Sequence, residues 1–321
     1  MRPSADKINS LIKASELYYL HHLNQNQISD VMHVHRTEIS RMLKEAKKLG
    51  IVKISVDTTF GSAKNMSKFF ERAFDLKTAL VVPDDQAGSY KEGLDTLGLY
   101  ADSFLHSLIK SNTTIGLSWG QSLAAVVDKF QQDVFPKNIT VIPLIGGPRG
   151  SLPAPYHANS IVHRLASKIT DAIPYSLDTP ALIKSKELKD ELLDNPNVEK
   201  VISMWPDLDV AIFGIGSRES SGNKSWQQFY KETSFASGLG KMAAGDILSQ
   251  PFTAEGKILK LPEINIIGMS LDQLRKIDRR IGIAAGKQKA GGILGALRSG
   301  LVTDLITTYS TALEIKSISQ M

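Results

Sequence analysis

The stretch Gln25–Val56, QNQISDVMHVHRTEISRMLKEAKKLGIVKISV, decides how the front of this 321-residue chain is read. Within it, Arg36–Leu49 places Ile39, Met42, Leu43 and Ala46 at i, i+3, i+4 and i+7, the spacing of one buried helical stripe. The other face presents Arg36, Thr37, Ser40, Arg41, Lys44 and Lys48. Arginine forks can bind guanine edges, and hydroxyls and lysines can hold phosphates, while the apolar side fixes the helix to its neighbours. Taken alone, such a helix is equally a solvated amphipathic helix. Three neighbours favour a major-groove reader. A short helical segment, Gln25–Met32, lies a tight turn upstream at His33–His35. Gly50 stops the third helix as a C-terminal glycine does. Ile51, Lys53, Ser55 and Asp57 then alternate with Val52, Ile54 and Val56, the period of a strand and so of a wing. With a first helix over Asp6–His22, this is a winged helix-turn-helix pattern.

Composition agrees with more than one module. The length suits two domains. With 42% hydrophobic and 22% charged residues the chain can bury a large core. Its formal charge of +5 permits nucleic-acid binding without demanding it. There is no cysteine, which excludes disulfides, thiolate zinc sites and thiol nucleophiles. The polar start and the lack of a membrane-length apolar run lead to the expectation of a cytoplasmic protein with no membrane partner.

Residues 58–67, TTFGSAKNMS from Thr58, are small and polar and are expected to form a linker between residues 1–57 and 68–321. Beyond them strand-like and helix-like segments alternate. Strand candidates are Thr78–Val82, Thr114–Leu117, Thr140–Leu144, Val210–Ile215, Asn265–Ile267, Gly282–Ala285 and Asp304–Thr307. Helical patterns cover Glu92–Ile109, Gly120–Phe130, Asn159–Ile169 and Lys287–Leu297. Short apolar strands without clean alternation, separated by helices, predict an α/β domain with a mainly parallel sheet. Ligands of such sheets sit beyond the strand carboxyl ends, where glycine turns meet helix N-termini. Three turns qualify: Ile115–Ser122 (IGLSWGQS), Gly146-Gly147, and Gly214–Ser217 (GIGS). Lys289, near a helix start, would add a cation for a phosphate. Each glycine could equally serve only its turn.

Ala14–Tyr19 (ASELYY), Gln27–Met32 (QISDVM), Arg36–Leu43 (RTEISRML) and Gly50–Val52 resemble the N-terminal domain of the SorC family of bacterial sugar-responsive transcription regulators. The chain departs from the family at His33, where the turn usually has glycine, and at His35, where a serine usually caps the reading helix. GLSWGQSL (116–123), PLIGGP (143–148), LDVAIFGIGS (208–217), AAGDI (243–247) and GKQKAGGILGALRSGLV (286–302) resemble the same family's effector domain, with the stretches around SMWPDLDV and YHANS nearest its sorbitol/sorbose members. The resemblance implies a domain similar to ribose-5-phosphate isomerase and glucosamine-6-phosphate deaminase that binds a sugar or sugar phosphate, and a homotetramer. It carries effector contacts onto Ser118, Gly120, Gln121, Ser122, Gly147, His157, Asn159, Asp246 and Lys289.

Deaminases of that fold follow the GIG turn with an acid, glycine and histidine. Here Ser217, Arg218, Glu219 and Ser220 follow Gly216, and Glu219 alone could act as a base. Many family members carry an acid where this chain has Thr308, so effector contacts there are expected to differ. Catalysis is not expected. The pairs His21-His22 and His33/His35 lie on different segments without acids beside them, so no metal or other cofactor is expected. The reading is a sugar-controlled regulator of a sorbitol/sorbose-type operon that contacts operator DNA through Arg36, Thr37, Ser40, Arg41 and Lys44. A sugar-phosphate isomerase or deaminase with an appended DNA-binding domain, and an architectural nucleic-acid binder, are the alternatives.

Overall fold

The computed structural model describes residues 5–21, 23–52, 59–85, 88–132, 136–148, 152–183, 185–218, 242–260 and 265–319. The chain divides into two compact units, Met1–Thr58 and Thr59–Met321.

Three helices build the first unit: α1 (Ala5–Tyr19), α2 (Gln25–Met32) and α3 (Arg36–Lys48). Each has one apolar face, and the three faces meet at Ile28, Ile39 and Leu43, with Leu17, Leu23, Met32, Val34 and Met42 packed around them. Ile28 and Ile39 are fully buried, and each contributes about 1.5–3 kcal/mol through removal from water. The expected stripe of the third helix is therefore the buried one, with Met42 at its half-buried edge. A capping box starts α2: Asn24 Oδ1 accepts from the Asn26 and Gln27 amides at 3.0 and 3.1 Å, and Gln27 Oε1 accepts from the Asn24 amide at 2.9 Å. Such a cap stabilises a helix start by about 1 kcal/mol. The expected wing strand lies outside the described residues from position 53 onward, as does His22.

Residues 58–67 were expected to be a linker, yet Thr59 opens α4 (Thr59–Ala73). Small polar residues at its start hide a helical period: Ala63, Met66 and Phe70 fall at i, i+3 and i+7 and are buried against the sheet core. Phe70 also stacks on Phe74, with ring centroids 5.7 Å apart.

Seven strands form a parallel sheet in the order β1-β12-β11-β6-β2-β3-β4. They are β1 (Thr78–Val82), β2 (Thr114–Leu117), β3 (Thr140–Pro143), β4 (Ile173–Pro174), β6 (Val210–Gly214), β11 (Arg279–Ile283) and β12 (Asp304–Thr308). Alternate residues enter two cores. Val81, Ala211 and Leu305 face one that includes α4, α11 (Ala290–Arg298) and α12 (Tyr309–Ser319). Val82, Ile212 and Ile306 face the other, which includes α5 (Tyr90–Leu108), α6 (Gln121–Lys129) and α7 (Ala158–Ala166). Burial on both faces is why these strands lack a polar alternation. The protein is a mixed α/β chain in which a parallel sheet is sandwiched by helices.

Differences from the sequence reading have specific physical causes. The strand expected at Gly282–Ala285 begins at Arg279, because the Arg279 fork grips buried Asp304 through Nη2 at 2.6 Å and Nε at 3.1 Å. Two charged residues thus open a strand that an apolar reading starts too late. The segment Asn265–Ile267 supplies β10 (Asn265–Ile266), which pairs antiparallel with β5 (Leu182–Ile183) and not with the main sheet. Edge strand β4 carries a proline, tolerated where no further strand needs its missing N–H. Three short strands, β7 (Gly216–Ser217), β8 (Gly245–Ile247) and β9 (Gln250–Phe252), form a separate antiparallel sheet. Two short helices, α8 (Lys186–Leu193) and α9 (Pro196–Ser203), lead into β6, and α10 (Leu271–Leu274) precedes β11.

Candidate functional site

In the first unit, α3 exposes Arg36, Thr37, Arg41 and Lys44 and half-buries Ser40, opposite its packed face. Arg41 is not idle: its Nη2 donates to Glu38 Oε1 at 2.7 Å. The turn before α3 accommodates both histidines. His33 adopts the left-handed conformation, φ 54° and ψ 38°, and closes α2 through its amide bond to Ser29 O. A side chain there costs about 1–2 kcal/mol relative to glycine. Ser29 Oγ donates to Val34 O at 2.6 Å and braces the same turn. His35 is the N-cap of α3, with Nδ1 3.0 Å from the Thr37 hydroxyl and 3.5 Å from its amide. The long second distance makes this a weaker cap than a serine would provide.

In the second unit, the chain leaves β2 toward β3 and β4 on one side and returns through β6 to β11 and β12 on the other. The switch point of the sheet therefore lies between the carboxyl ends of β2 and β6, where open α/β sheets place ligands. Ser118 sits at this junction. Its Oγ accepts from the Gly214 amide at 3.0 Å and donates to Trp119 O at 3.1 Å, and its own amide donates to Ile212 O. It ties the two strands together. Gly120 follows with φ 131°, a conformation that favours glycine, and a Cβ there would meet only open space. The Gly120 amide donates to Tyr156 O, which draws the α7 entry toward this turn. Gln121 is half-buried at the start of α6. Ser122, in the first turn of α6, is 2% exposed, and its Oγ has no hydrogen-bond partner among the described residues. An orphaned buried hydroxyl costs about 1–3 kcal/mol, which a bound polar ligand would recover.

The remaining expected contacts divide into two sets. Gly147, beyond β3, donates its amide to Thr179 O at 2.6 Å. His157 caps α7, with Nε2 2.7 Å from Leu152 O, and Asn159 straps α7 to the next segment through Leu177 N at 3.0 Å and Asp178 Oδ1 at 2.8 Å. These residues lie at the β3 side of the switch point. On the other side, buried Asp246 pairs with Gly216 across β7 and β8, and Ser217 Oγ donates to Gln288 O in the turn Lys287–Lys289. Lys289 is half-buried at the entry to α11. The Ser118–Gly214 bond joins the two sets, so the carboxyl ends of β3, β2, β6 and β11 form one continuous edge. Glu219 lies outside the described residues.

Two features escaped the sequence. Thr179 is 5% exposed with an orphaned Oγ1, and a Cβ at Gly146 would lie 2.8 Å from that oxygen. No local pattern marks a threonine that only tertiary folding brings against a glycine turn. The second is a recess of about 180 Å³ at the ends of β1, β11 and β12, lined by residues that include Asp84, Ser89, Gln288, Thr308 and Ser310, of which the sequence singled out Thr308 alone as an effector position. Thr308 Oγ1 lies 2.7 Å from Thr311 Oγ1, and Asp84 accepts from the Ser310 amide and hydroxyl at 2.8 and 2.6 Å. Asp84, Thr308, Ser310 and Thr311 are thereby bonded among themselves.

Residues 59–316 match the family described as "Putative sugar-binding domain". The chain belongs to that family, in its SorC-type regulator branch. It is 29% identical over 311 residues to the sorbitol operon regulator of Klebsiella pneumoniae, covering 96% of this chain and 98% of that protein. It is also 29% identical over 306 residues to the deoxyribonucleoside regulator of Bacillus subtilis, covering 94% and 95%. The crystal structure of the full-length Klebsiella regulator superposes with a TM-score of 0.75 at 30% identity, over 97% of this chain and 99% of that one.

Proposed function

We propose that the protein is a sequence-specific DNA-binding transcriptional regulator of a carbohydrate catabolic operon, of sorbitol/sorbose type, controlled by a sugar or sugar phosphate. One observation carries the reading: a helix-turn-helix unit with a cationic, solvent-open third helix precedes a sugar-binding fold, and relatives that match along nearly the whole chain are named regulators. Arg36 and Arg41 are assigned to base edges, and Thr37, Ser40 and Lys44 to phosphates. The effector would lie along the strand-end edge at Ser118, Gly120, Gln121, Ser122, Gly147, His157, Asn159 and Asp246, with Lys289 on a phosphate. Ser118, His157 and Asn159 hold the walls through bonds already made, whereas Ser122 keeps a hydroxyl for the ligand. Binding without turnover is the role assigned to this edge.

The protein would act in the cytoplasm as a symmetric oligomer, a homotetramer by family resemblance, because one helix-turn-helix reads few bases and paired half-sites supply the rest. Among the described residues no helix is long and apolar enough to cross a membrane. Effector coupling of about 1–3 kcal/mol would change operator affinity roughly 5–150-fold. The test is fluorescence anisotropy at fixed salt on DNA from upstream of the protein's own operon, with and without sorbitol, sorbose and their phosphates. A sequence-preferring complex that one sugar shifts supports the reading. Binding that ignores both sequence and sugar, or turnover of a sugar phosphate, would overturn it.

A further inference from the structure

Glu38 is an acid in the first turn of α3, and its Oε1 accepts from Arg41 Nη2 at 2.7 Å. The two side chains lie one turn apart and are 47% and 73% exposed. A carboxylate at this place calls for a reason. Its exposed charged companions Arg36, Arg41, Lys44, Lys47 and Lys48 are all cations, and the helix's other acid, Glu45, is engaged by Lys7 of α1. Against a phosphate backbone, Glu38 repels. Its favourable interaction with the helix dipole is one that an acid elsewhere in the first turn would supply equally well.

The N-terminal residues of a reading helix are those that reach base edges. Glu38 is the third residue of α3, and Arg41 follows one turn later. In the major groove guanine presents two acceptors to an arginine fork, and cytosine presents an N4 amino donor that suits a carboxylate. With Oε1 on Arg41, Oε2 remains for an amino hydrogen. Resting on the DNA-reading role proposed above, we propose that Glu38 is a specificity-determining residue. It holds the Arg41 guanidinium toward guanine and accepts the N4 amino hydrogen of a neighbouring cytosine. A base pair that offers no amino donor at that place leaves the carboxylate facing acceptors and is rejected.

The test uses the full chain and its Glu38→Ala and Glu38→Gln variants. Each selects from a duplex library with a randomised core, and each is then titrated at fixed salt against the selected duplex and its single-base variants. The wild type should select cytosine beside the guanine whose preference Arg41→Ala removes. Glu38→Ala should lose discrimination at that cytosine by about 5- to 150-fold. Glu38→Gln should move the preference there toward adenine, the base a carboxamide reads. Both substitutions are on an exposed position, and unchanged thermal melting would show that the fold is intact. If Glu38→Ala tightens binding to all duplexes alike and selects the same sequence, the carboxylate is only a helix-end charge and the inference fails alone. If the wild type selects no sequence, the regulator reading fails and takes this inference with it.

Discussion

Arg41 on α3 and Ser122 on α6 are both assigned to recognition, yet their surroundings are opposite. Arg41 is 73% exposed, and among the described residues its side chain is held by one ion pair, with Glu38. Ser122 is 2% exposed and follows by four residues Ser118, which is bonded to Gly214 and Ile212 across the switch point and to Trp119 O. The proposed reading helix would therefore keep its recognition groups outside a finished core, and the proposed effector edge would build its groups into the core itself. Substitutions on the first surface should change binding and spare stability. On the second, stability and binding should be affected by different neighbouring residues.

The largest expected effect lies at the far end of the sheet from the effector edge. Asp304→Asn should destabilise the second unit by about 2–4 kcal/mol, because it leaves the Arg279 fork without its buried carboxylate, while Arg279 keeps some solvent. All three tryptophans, Trp119, Trp205 and Trp226, fall in that unit, so the urea midpoint of tryptophan fluorescence reads it directly. The first unit's helical signal should not shift with it. Arg41→Ala comes next. It should cost about 1–3 kcal/mol of discrimination at one base pair in anisotropy titrations, with thermal stability changed by no more than about 0.5 kcal/mol. A large loss of stability would end the contrast between the two surfaces.

Two serines four residues apart sharpen it further. Ser118→Ala should destabilise the second unit by about 1 kcal/mol, because it removes the β2–β6 strap. Ser122→Ala deletes an orphaned hydroxyl, so stability should hold or rise while the sugar response of operator binding falls. Equal effects from the two on both readouts would show that Ser122 has no ligand to wait for.

The smallest effect compares two capping boxes. At α5, Glu92 returns to the Ser89 amide at 2.6 Å, and these bonds to Ser89 hold its carboxyl below the ordinary value. A depressed folded pKa stabilises above the unfolded value, near 4.3, and that stabilisation is lost as pH falls through the folded value. The α2 box uses Asn24 and Gln27, which do not titrate. Acidification below about pH 4 should reduce amide-exchange protection at the start of α5 and leave α2 unchanged.

Much of this was legible because period and turn chemistry are local. The buried stripe of α3, the end of β2 at Leu117 and the tight turn at His33–His35 follow from residues within a few positions of one another. Reading failed where distant partners decide. Arg279 reads as a surface charge until Asp304, 25 residues on, is placed beside it, whereas α4 was hidden locally, by the polar residues before Ala63.

By itself, then, the sequence determined the three helices of the first unit, six of the seven strands of the parallel sheet, that a basic helix face precedes an α/β fold, and which glycine turns end its strands. Periodicity, capping and φ preferences act over a turn or two, and they are written in neighbouring residues. Only the tertiary structure decided that Ser118 is a strap and Ser122 an orphan, and that Thr179 lies against Gly146. Whether a hydroxyl or a carboxylate is satisfied depends on which groups three-dimensional packing brings within about 3 Å, and spacing along the chain does not carry that information.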